Sequence, residues 1–391
     1  MSRIVPFAAV FLFAFTAAAD PVSTRCGERE VALDGRHSVA VLEDCGDHQP
    51  GDLLWHLDRI DQVGGSLDGR FTRGGGGAGS IVYVMDTGIR ADHVEFGGRV
   101  IAGIDVAGAV SIGASTCTSP GKSLQPCFAT LEELASSSHG TAVASIIGGA
   151  RTGVAPQASL VSVRIMNERG LTTTSEYMQA FDAIIEHAGT LPRRPRTAIV
   201  NISGWVLESL GRQQVTVTFA QVEQKMREMI GGVEGTRFLF VVAANNVEGG
   251  CGDSGVVDRF PAILGSQIDG VITVGGMTAR NDWWTGSCRG GVEVLAPAQG
   301  IFSATITASD HYRGKRPNHR SGTSFAAPVI AGIAARLLAD HPGLTPQELE
   351  AWITSTPSRI ENPSAAFAEG RVAYLPASSI WQLSLRRLED D

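Results

Sequence analysis

The stretch Ser80-Ile81-Val82-Tyr83-Val84-Met85, followed by Asp86-Thr87-Gly88, decides how the chain folds. Consecutive apolar and β-branched residues without polar alternation are the pattern of a strand covered on both faces, as parallel strands are. The strand delivers Asp86 to its carboxyl end, the edge at which open α/β sheets build their sites. Thr87-Gly88 then turns the chain away. Toward the C-terminus, Ala158 to Ile165, Thr197 to Ser203 and Phe238 to Ala244 read as further strands, with helices at Thr174 to His187 and Phe219 to Ile230 between them. Gly270 to Gly275 and Val292 to Pro297 add short strands. Strand alternating with helix predicts an α/β fold: a doubly wound, mainly parallel sheet flanked by helices and joined by right-handed crossovers.

Two other stretches place polar side chains at helix starts. Ser138-His139-Gly140-Thr141-Ala142-Val143-Ala144-Ser145-Ile146-Ile147-Gly148-Gly149 reads as an apolar helix opened by a histidine. A buried histidine satisfied by a hydrogen bond explains such a residue as well as catalysis does. Ser321-Gly322-Thr323-Ser324-Phe325-Ala326-Ala327-Pro328 runs into a second apolar helix through Leu338. Ser324 then lies at or just before the first turn, where N–H groups without helical partners and the positive dipole end favour a developing oxyanion. Pro328, near the helix start, is expected to give up an N–H of little helical use. A lone serine before a helix is more often a cap. A further helix is predicted around Thr345 to Thr354, with Pro346 in its first turn.

The 391-residue chain is 43% hydrophobic and 18% charged, a composition that excludes disorder. Its formal net charge of −8 leaves no basic excess to neutralise phosphates, so nucleic acid is excluded as a partner. Met1-Ser2-Arg3, the apolar run Ile4 to Phe15 and Ala17-Ala18-Ala19 read as a secretory signal cleaved near Asp20. That run is short for a bilayer and no later stretch is expected to reach the required length, so the chain is predicted to be secreted, extracellular or periplasmic, without membrane association after cleavage. Export makes the six cysteines readable as disulfides. Several connectivities are open, and order along the chain suggests Cys26 with Cys45, Cys117 with Cys127 and Cys251 with Cys288. The organisation that follows is a signal at 1–19, a cysteine-bearing extension at 20–50 with a short strand at Val39 to Leu42, a main domain at 51–360 and a tail at 361–391. Within the domain, Trp55 to Gln62 is short and mixed, Gly74 to Gly79 reads as a flexible connection, and an irregular loop runs from about Gly103 to Ser137.

Asp86, His139 and Ser324 thus follow one another at strand ends or helix starts on one sheet edge. Acyl transfer needs this set: the serine attacks, the histidine takes and returns a proton, and the aspartate fixes the histidine tautomer. Val84-Met85-Asp86-Thr87-Gly88-Ile89, Ser138-His139-Gly140-Thr141-Ala142-Val143-Ala144 and Ser321-Gly322-Thr323-Ser324-Phe325-Ala326-Ala327-Pro328 resemble the three signatures of subtilisin-like serine peptidases, the subtilases, in the order that family uses. The resemblance covers roughly residues 51 to 358. The segments Trp55 to Gln62 and His93-Val94-Glu95-Phe96-Gly97-Gly98-Arg99 are similar to the proteinase K branch. What the resemblance implies is a serine endopeptidase acting on protein or peptide substrates through Asp86, His139 and Ser324 and an acyl-enzyme, without a catalytic cofactor. It further implies Asn246 as oxyanion donor, Ser203, Gly204, Trp205 and Asn245 as substrate-binding residues, and a Cys251–Cys288 bond like that of extracellular relatives. Calcium often stabilises such proteins, but no Asp-x-Asp-x-Asp-Gly loop names a ligand, so the metal site stays unassigned.

The chain departs from the family at several points. Asn245 stands where glycine is usual, and Gly204-Trp205 replaces a Gly-Gly pair. The interval from Asp86 to His139 is long and reads as a disulfide-bearing insertion, and the interval between Ala19 and the domain is short for the usual inhibitory propeptide. Other classes fit less well. Asp86-Thr87-Gly88 resembles an aspartic protease motif, but that chemistry needs two carboxylates sharing a proton; no second Asp-Thr-Gly occurs, and the one Asp-Ser-Gly, Asp253-Ser254-Gly255, follows Gly249-Gly250-Cys251-Gly252 rather than an apolar strand. A lipase-type hydrolase needs Gly-x-Ser-x-Gly, and the residue two after Ser324 is Ala326. A secreted, catalytically weak binding protein on the same fold is the remaining alternative.

Overall fold

Successive residues of the Ile81 to Asp86 strand point to opposite sides, and the molecule is layered on that alternation. Val82 and Val84 enter one apolar layer while Ile81, Tyr83 and Met85 enter the other, and all six residues of the strand are buried. The computed structural model describes residues 28–34, 37–43, 54–64, 66–73, 76–107, 115–117, 138–167, 170–210, 214–251, 255–306, 312–313, 320–355 and 371–375. Its strands are β1 (Glu28–Asp34), β2 (His37–Glu43), β3 (Arg70–Arg73), β4 (Ile81–Asp86), β5 (Val100–Asp105), β6 (Ser115–Cys117), β7 (Ser159–Arg164), β8 (Thr197–Ile202), β9 (Arg237–Ala243), β10 (Val271–Met277), β11 (Val294–Pro297), β12 (Ser303–Ala304) and β13 (Tyr312–Arg313). Its helices are α1 (Trp55–Asp58), α2 (His139–Gly148), α3 (Thr174–Thr190), α4 (Phe219–Gly231), α5 (Val247–Gly250), α6 (Thr323–Asp340) and α7 (Pro346–Thr354).

Eight strands form one sheet in the order β11-β10-β9-β8-β4-β7-β5-β6. All neighbours run parallel except β5 and β6, so the sheet is the doubly wound one the alternation predicts. Helices α2, α6 and α7 cover the face that carries Val82, Val84, Leu160, Ile199 and Leu239. Helices α3 and α4 cover the other, against Tyr83, Val161, Val200 and Phe240. From β4 the chain builds β5 and β7 on one side, then crosses through α3 to β8 on the other. That reversal is a topological switch, and it gathers the carboxyl ends of β4, β8 and β9 around one crevice.

Local chemistry sets the helix starts. Thr173 and Glu176 form a reciprocal capping box before α3, and Thr345 and Glu348 do the same before α7, whose first residue is Pro346. Four expectations are corrected. Residues 103–105 continue strand β5 and 115–117 form β6, so the span from Gly103 is not loop throughout. Gly76 to Gly79 form a turn, with Ser80 Oγ donating to the Gly77 carbonyl at 2.6 Å and Gln157 N–H to the Gly76 carbonyl at 2.7 Å, rather than a flexible connection. In the tail, Val372, Ala373 and Leu375 are buried, and backbone bonds of 2.7 Å join residues 371 and 373 to Leu295 of β11. Helix α6 is long and apolar enough to cross a membrane, yet 83% of it is buried inside the protein, where it forms the core.

In the extension, β1 and β2 form an antiparallel hairpin that contains the expected strand at Val39 to Leu42, and β2 pairs with β3. Cys251 and Cys288 are bonded, with 5.6 Å between their Cα atoms. The signal segment and the pairings Cys26–Cys45 and Cys117–Cys127 involve residues outside those described.

One polar contact in this frame titrates. Glu293, just before β11, accepts the Thr273 N–H at 2.9 Å, Glu350 of α7 accepts the Gly270 N–H, and the two carboxyls hydrogen-bond each other. Burial above all, with the neighbouring Glu350 adding to it, pushes Glu293 up to about 9. Burial raises Glu350 as well. The folded state therefore keeps a proton that the unfolded chain releases near 4.5. The stabilisation is complete below that value and is lost as pH rises through about 9. Glu293→Gln, neutral at every pH, should flatten the fall in thermal midpoint between about pH 5 and 9, as measured by melting curves across that range.

Candidate active site

Asp86 ends β4 fully buried, and a buried carboxylate is tolerated only when its oxygens are engaged. Thr87 N–H donates to Oδ1 at 2.7 Å, and His139 Nδ1 lies 2.9 Å from each carboxylate oxygen. The proton between them belongs on Nδ1, because the carboxylate only accepts. Nε2 is left as the acceptor of the imidazole, whose side chain is 27% exposed. Two short motifs interlock to hold this pair. Gly140 N–H donates to Thr87 Oγ1 at 3.0 Å, and Arg90 N–H donates to Thr141 Oγ1 at 2.9 Å. A Cβ on Gly140 would stand 2.4 Å from the Gly88 carbonyl oxygen and 3.1 Å from Asp86 Cβ, so only glycine lets α2 begin this close to β4. On the far side, the Phe325 ring packs 5.4 Å from the His139 ring, and the Arg320 guanidinium lies over Phe325 and donates to the Ser138 hydroxyl.

Ser324 sits in the first turn of α6. The turn is tied to the end of β9 by Asn246, whose Oδ1 accepts from Thr323 N–H at 3.0 Å and from Thr323 Oγ1 at 3.2 Å. A backbone N–H can only donate, so the amide oxygen must face Thr323, and the Nδ2 donor is turned elsewhere. Ser324 Oγ donates to the Ser203 carbonyl at 3.0 Å rather than to His139, and Ser203 Oγ donates back to the Ser324 carbonyl at 2.9 Å. The two serines are cross-bonded in this state.

His139, Ser324, Asn246 and the four expected substrate-binding residues, Ser203, Gly204, Trp205 and Asn245, all line one cleft of about 280 Å³. The structure thus brings every sequence-predicted site residue to one place, with Asp86 buried behind His139. Asn245 has φ 80°, the left-handed region where glycine is at ease and asparagine is among the few tolerated alternatives. Among the described residues its buried Nδ2 meets no hydrogen-bond partner, and its carbonyl accepts the Cys288 N–H at 3.1 Å. Arg259 covers the Trp205 ring at 5.3 Å. Met166 also lines the cleft and was not singled out by sequence. Its Cε would be 2.3 Å from a Cβ on Gly204, so it lies directly beneath that glycine. Asn201, below Ser203, was missed as well, although a lone amide in the run Thr197 to Ile202 is a visible signal. Among the described residues no group of three or more His, Cys, Asp or Glu is placed to hold a metal ion, so calcium gains no ligand set here and no chemical step is routed through it.

The sheet order and the Asp86–His139 pair beside a helix-start serine define a subtilisin-like α/β architecture. Residues 77–371 match the subtilase family of peptidases, and the chain belongs to that family. It is 31% identical over 325 residues to an extracellular serine proteinase of Thermus sp. (strain Rt41A), an alignment covering 82% of this chain and 66% of that protein. It is 31% identical over 310 residues to alkaline serine exoprotease A of Vibrio alginolyticus, covering 78% and 47% respectively. The chain spans less than two thirds of the length of these relatives. The solved structure of a cold-adapted subtilisin-like serine proteinase matches with a TM-score of 0.60 at 28% identity, covering 84% of this chain and 100% of that one.

If the Gly140 contact sets the Asp86–His139 distance, Gly140→Ala must push α2 off the end of β4. The variant should lose about 1–3 kcal/mol of stability in denaturant unfolding, the usual penalty for forcing a methyl into a packed site. It should also lose the downfield imidazole proton resonance expected of the Nδ1 hydrogen bond. Retention of both would show that α2 is placed by other contacts.

Proposed function

We propose that this chain is a secreted serine endopeptidase that cuts protein or peptide substrates through an acyl-enzyme. What supports this above all is the 2.9 Å contact of His139 Nδ1 with both Asp86 oxygens, in a cleft shared with Ser324 at a helix start. In the reaction, Ser324 Oγ rotates from the Ser203 carbonyl toward His139, gives its proton to Nε2 and bonds to the substrate carbonyl carbon. Asp86 stabilises the imidazolium. The oxyanion is held by the Ser324 N–H and Asn246 Nδ2, in a turn where helix geometry leaves N–H groups without partners. His139 then returns the proton to the departing amine, and water repeats the cycle to release the acid. Each step uses side chains and backbone amides alone. Ser203 to Trp205 form one wall for the substrate and Asn245 part of the other. The signal-like N-terminus supports export, and the Thermus relative is named as extracellular.

One observation favours a second reading, a catalytically weak binding protein: the Ser324 hydroxyl is engaged by the Ser203 carbonyl instead of by His139. Purified protein incubated with denatured casein, with and without a serine-reactive phosphonate, decides between them. The peptidase reading requires phosphonate-sensitive cleavage with the label on Ser324. Neither cleavage nor label would leave the binding protein.

Ser324→Ala should lower kcat by about 10⁶, the size such a knockout has in a subtilisin. Near-normal hydrolysis by that variant would sink the assignment. Asn246→Ala should cost roughly 10²–10³ in kcat with little change in KM, again the scale of a subtilisin oxyanion asparagine, and should exceed the loss in Asn245→Ala.

Specificity follows from the wall residues. Asn245 sets an amide where the family has an open, apolar slot, so a large apolar side chain entering there would lose volume and strand polar atoms. The expected preference is for small or polar residues before the scissile bond, shifting toward Phe and Leu in Asn245→Gly. Profiling both proteins on one peptide library checks this, and strong wild-type cleavage after Phe, unchanged in the variant, would exclude it.

A further inference from the structure

Asn201 is a polar side chain in an apolar layer. It lies two residues beyond Ile199 on β8, on the face covered by α6, and pairs in register with Val84 of β4 and Val241 of β9. The side chain is fully buried. An amide in such a place costs free energy unless its hydrogen bonds are made. Nδ2 makes one, donating to Ser203 Oγ at 3.0 Å, and Ser203 Oγ donates onward to the Ser324 carbonyl at 2.9 Å. Among the described residues no donor reaches Asn201 Oδ1.

The Ser324 carbonyl needs an outside donor because of Pro328. Helix α6 begins at Thr323, so the N–H of residue 328 would bond back to the carbonyl of residue 324. Proline has no N–H. The expectation that Pro328 occupies a position of little helical use is therefore corrected: its absent N–H removes the helical partner of the serine that carries the site. The Ser203 hydroxyl takes that place.

A hydroxyl carries one proton. Having given it to Ser324, Ser203 Oγ can only accept from Asn201, which forces the amide to turn its NH₂ toward Ser203. With the amide flipped, Ser203 would donate to Oδ1 and release Ser324. The direction of the chain is thereby fixed, and the unpartnered Oδ1 is its consequence. When Ser324 Oγ leaves the Ser203 carbonyl to face His139, the bond from Ser203 Oγ is the one of the cross-bonded pair that remains.

We propose that Asn201 is a positioning residue for the peptide-bond cleavage: acting through Ser203, it holds the Ser324 backbone at the start of α6, and with it the direction of Oγ and of the oxyanion N–H. This rests on Ser324 being the nucleophile. The test is a set of variants, Asn201→Leu, Ser203→Ala, their double, Pro328→Ala, and Pro328→Ala combined with each single change, read by kcat, KM and thermal midpoint on one peptide. Asn201→Leu and Ser203→Ala should each lower kcat roughly ten- to hundredfold with KM little changed, the scale of a slightly misplaced reacting group. The double variant should lose no more than the worse single. Pro328→Ala, which restores an N–H for the Ser324 carbonyl, should recover most of the loss in either background. If the leucine prevents folding, Asn201→Ala replaces it. Additive losses, a fall in thermal midpoint without a fall in kcat, or no recovery with Pro328→Ala would overturn the proposal. Phosphonate labelling of the wild type separates the two levels: labelled Ser324 with an additive cycle removes the positioning role alone, whereas an unlabelled wild type removes the peptidase reading beneath it.

Discussion

His139 reaches Asp86 because Gly140 presents no side chain to the Gly88 carbonyl, and much else in the site depends on that approach. The carboxylate is fully buried, so it needs the Thr87 N–H and the imidazole to replace water. Thr87 engages α2 through the Gly140 N–H, and Thr141 engages the turn after β4 through the Arg90 N–H. Each motif therefore supplies a donor or acceptor that the other lacks. Small residues after His139 then let α2 lie against the same sheet face as α6, which sets the imidazole on the side where Ser324 emerges.

The other half of the site hangs on the end of β8. Ser203 gives its carbonyl to the Ser324 hydroxyl and its own hydroxyl to the Ser324 carbonyl, while Asn246 at the end of β9 holds Thr323. Two strand ends thus act on one helical turn. The topological switch beside β4 is what makes this possible, since it places β8 next to β4 although β7 and α3 intervene in the chain. A serine at a helix start is an ordinary cap until neighbouring strands fix both its faces.

Much of this was legible in the sequence because burial on two faces leaves an unmistakable apolar run. Strands β4, β7, β8 and β9 are such runs, and the three motifs sit at their ends or at helix starts. Strand β5 was not legible: Ile101 is exposed, Gly103 interrupts the run, and one face lies near the sheet edge, so the hydrophobic signal is diluted. The turn at Gly76 to Gly79 looks like a linker by composition, and only the tertiary contacts of Gly76 and Gly77 show it to be fixed. The segment around Val372 gains its order from pairing with Leu295, a partner far away in the chain. Asn201 and Pro328 illustrate a different limit. Each is visible as an oddity, an amide in a strand and a proline in a helix, but the reason for both is a single hydrogen bond whose ends lie on different elements.

Asn245 shows how a departure from the family can be absorbed without moving the residue beside it. Its backbone lies at φ 80°, a conformation that costs most residues about 1–2 kcal/mol and asparagine less. The Cys288 N–H anchors its carbonyl, and the bond from Cys288 to Cys251 closes the short segment that contains Asn246. The main chain at 245 and 246 is therefore held from the loop behind it, while the Asn246 side chain is held from α6 in front. With position fixed from both sides, either glycine or asparagine can stand at 245, the residues this backbone conformation favours. The choice between them can change the wall of the cleft while the donor next to it stays in register with the helix start. In the proposed reaction, specificity and chemistry would thus fall to adjacent residues whose constraints come from different elements.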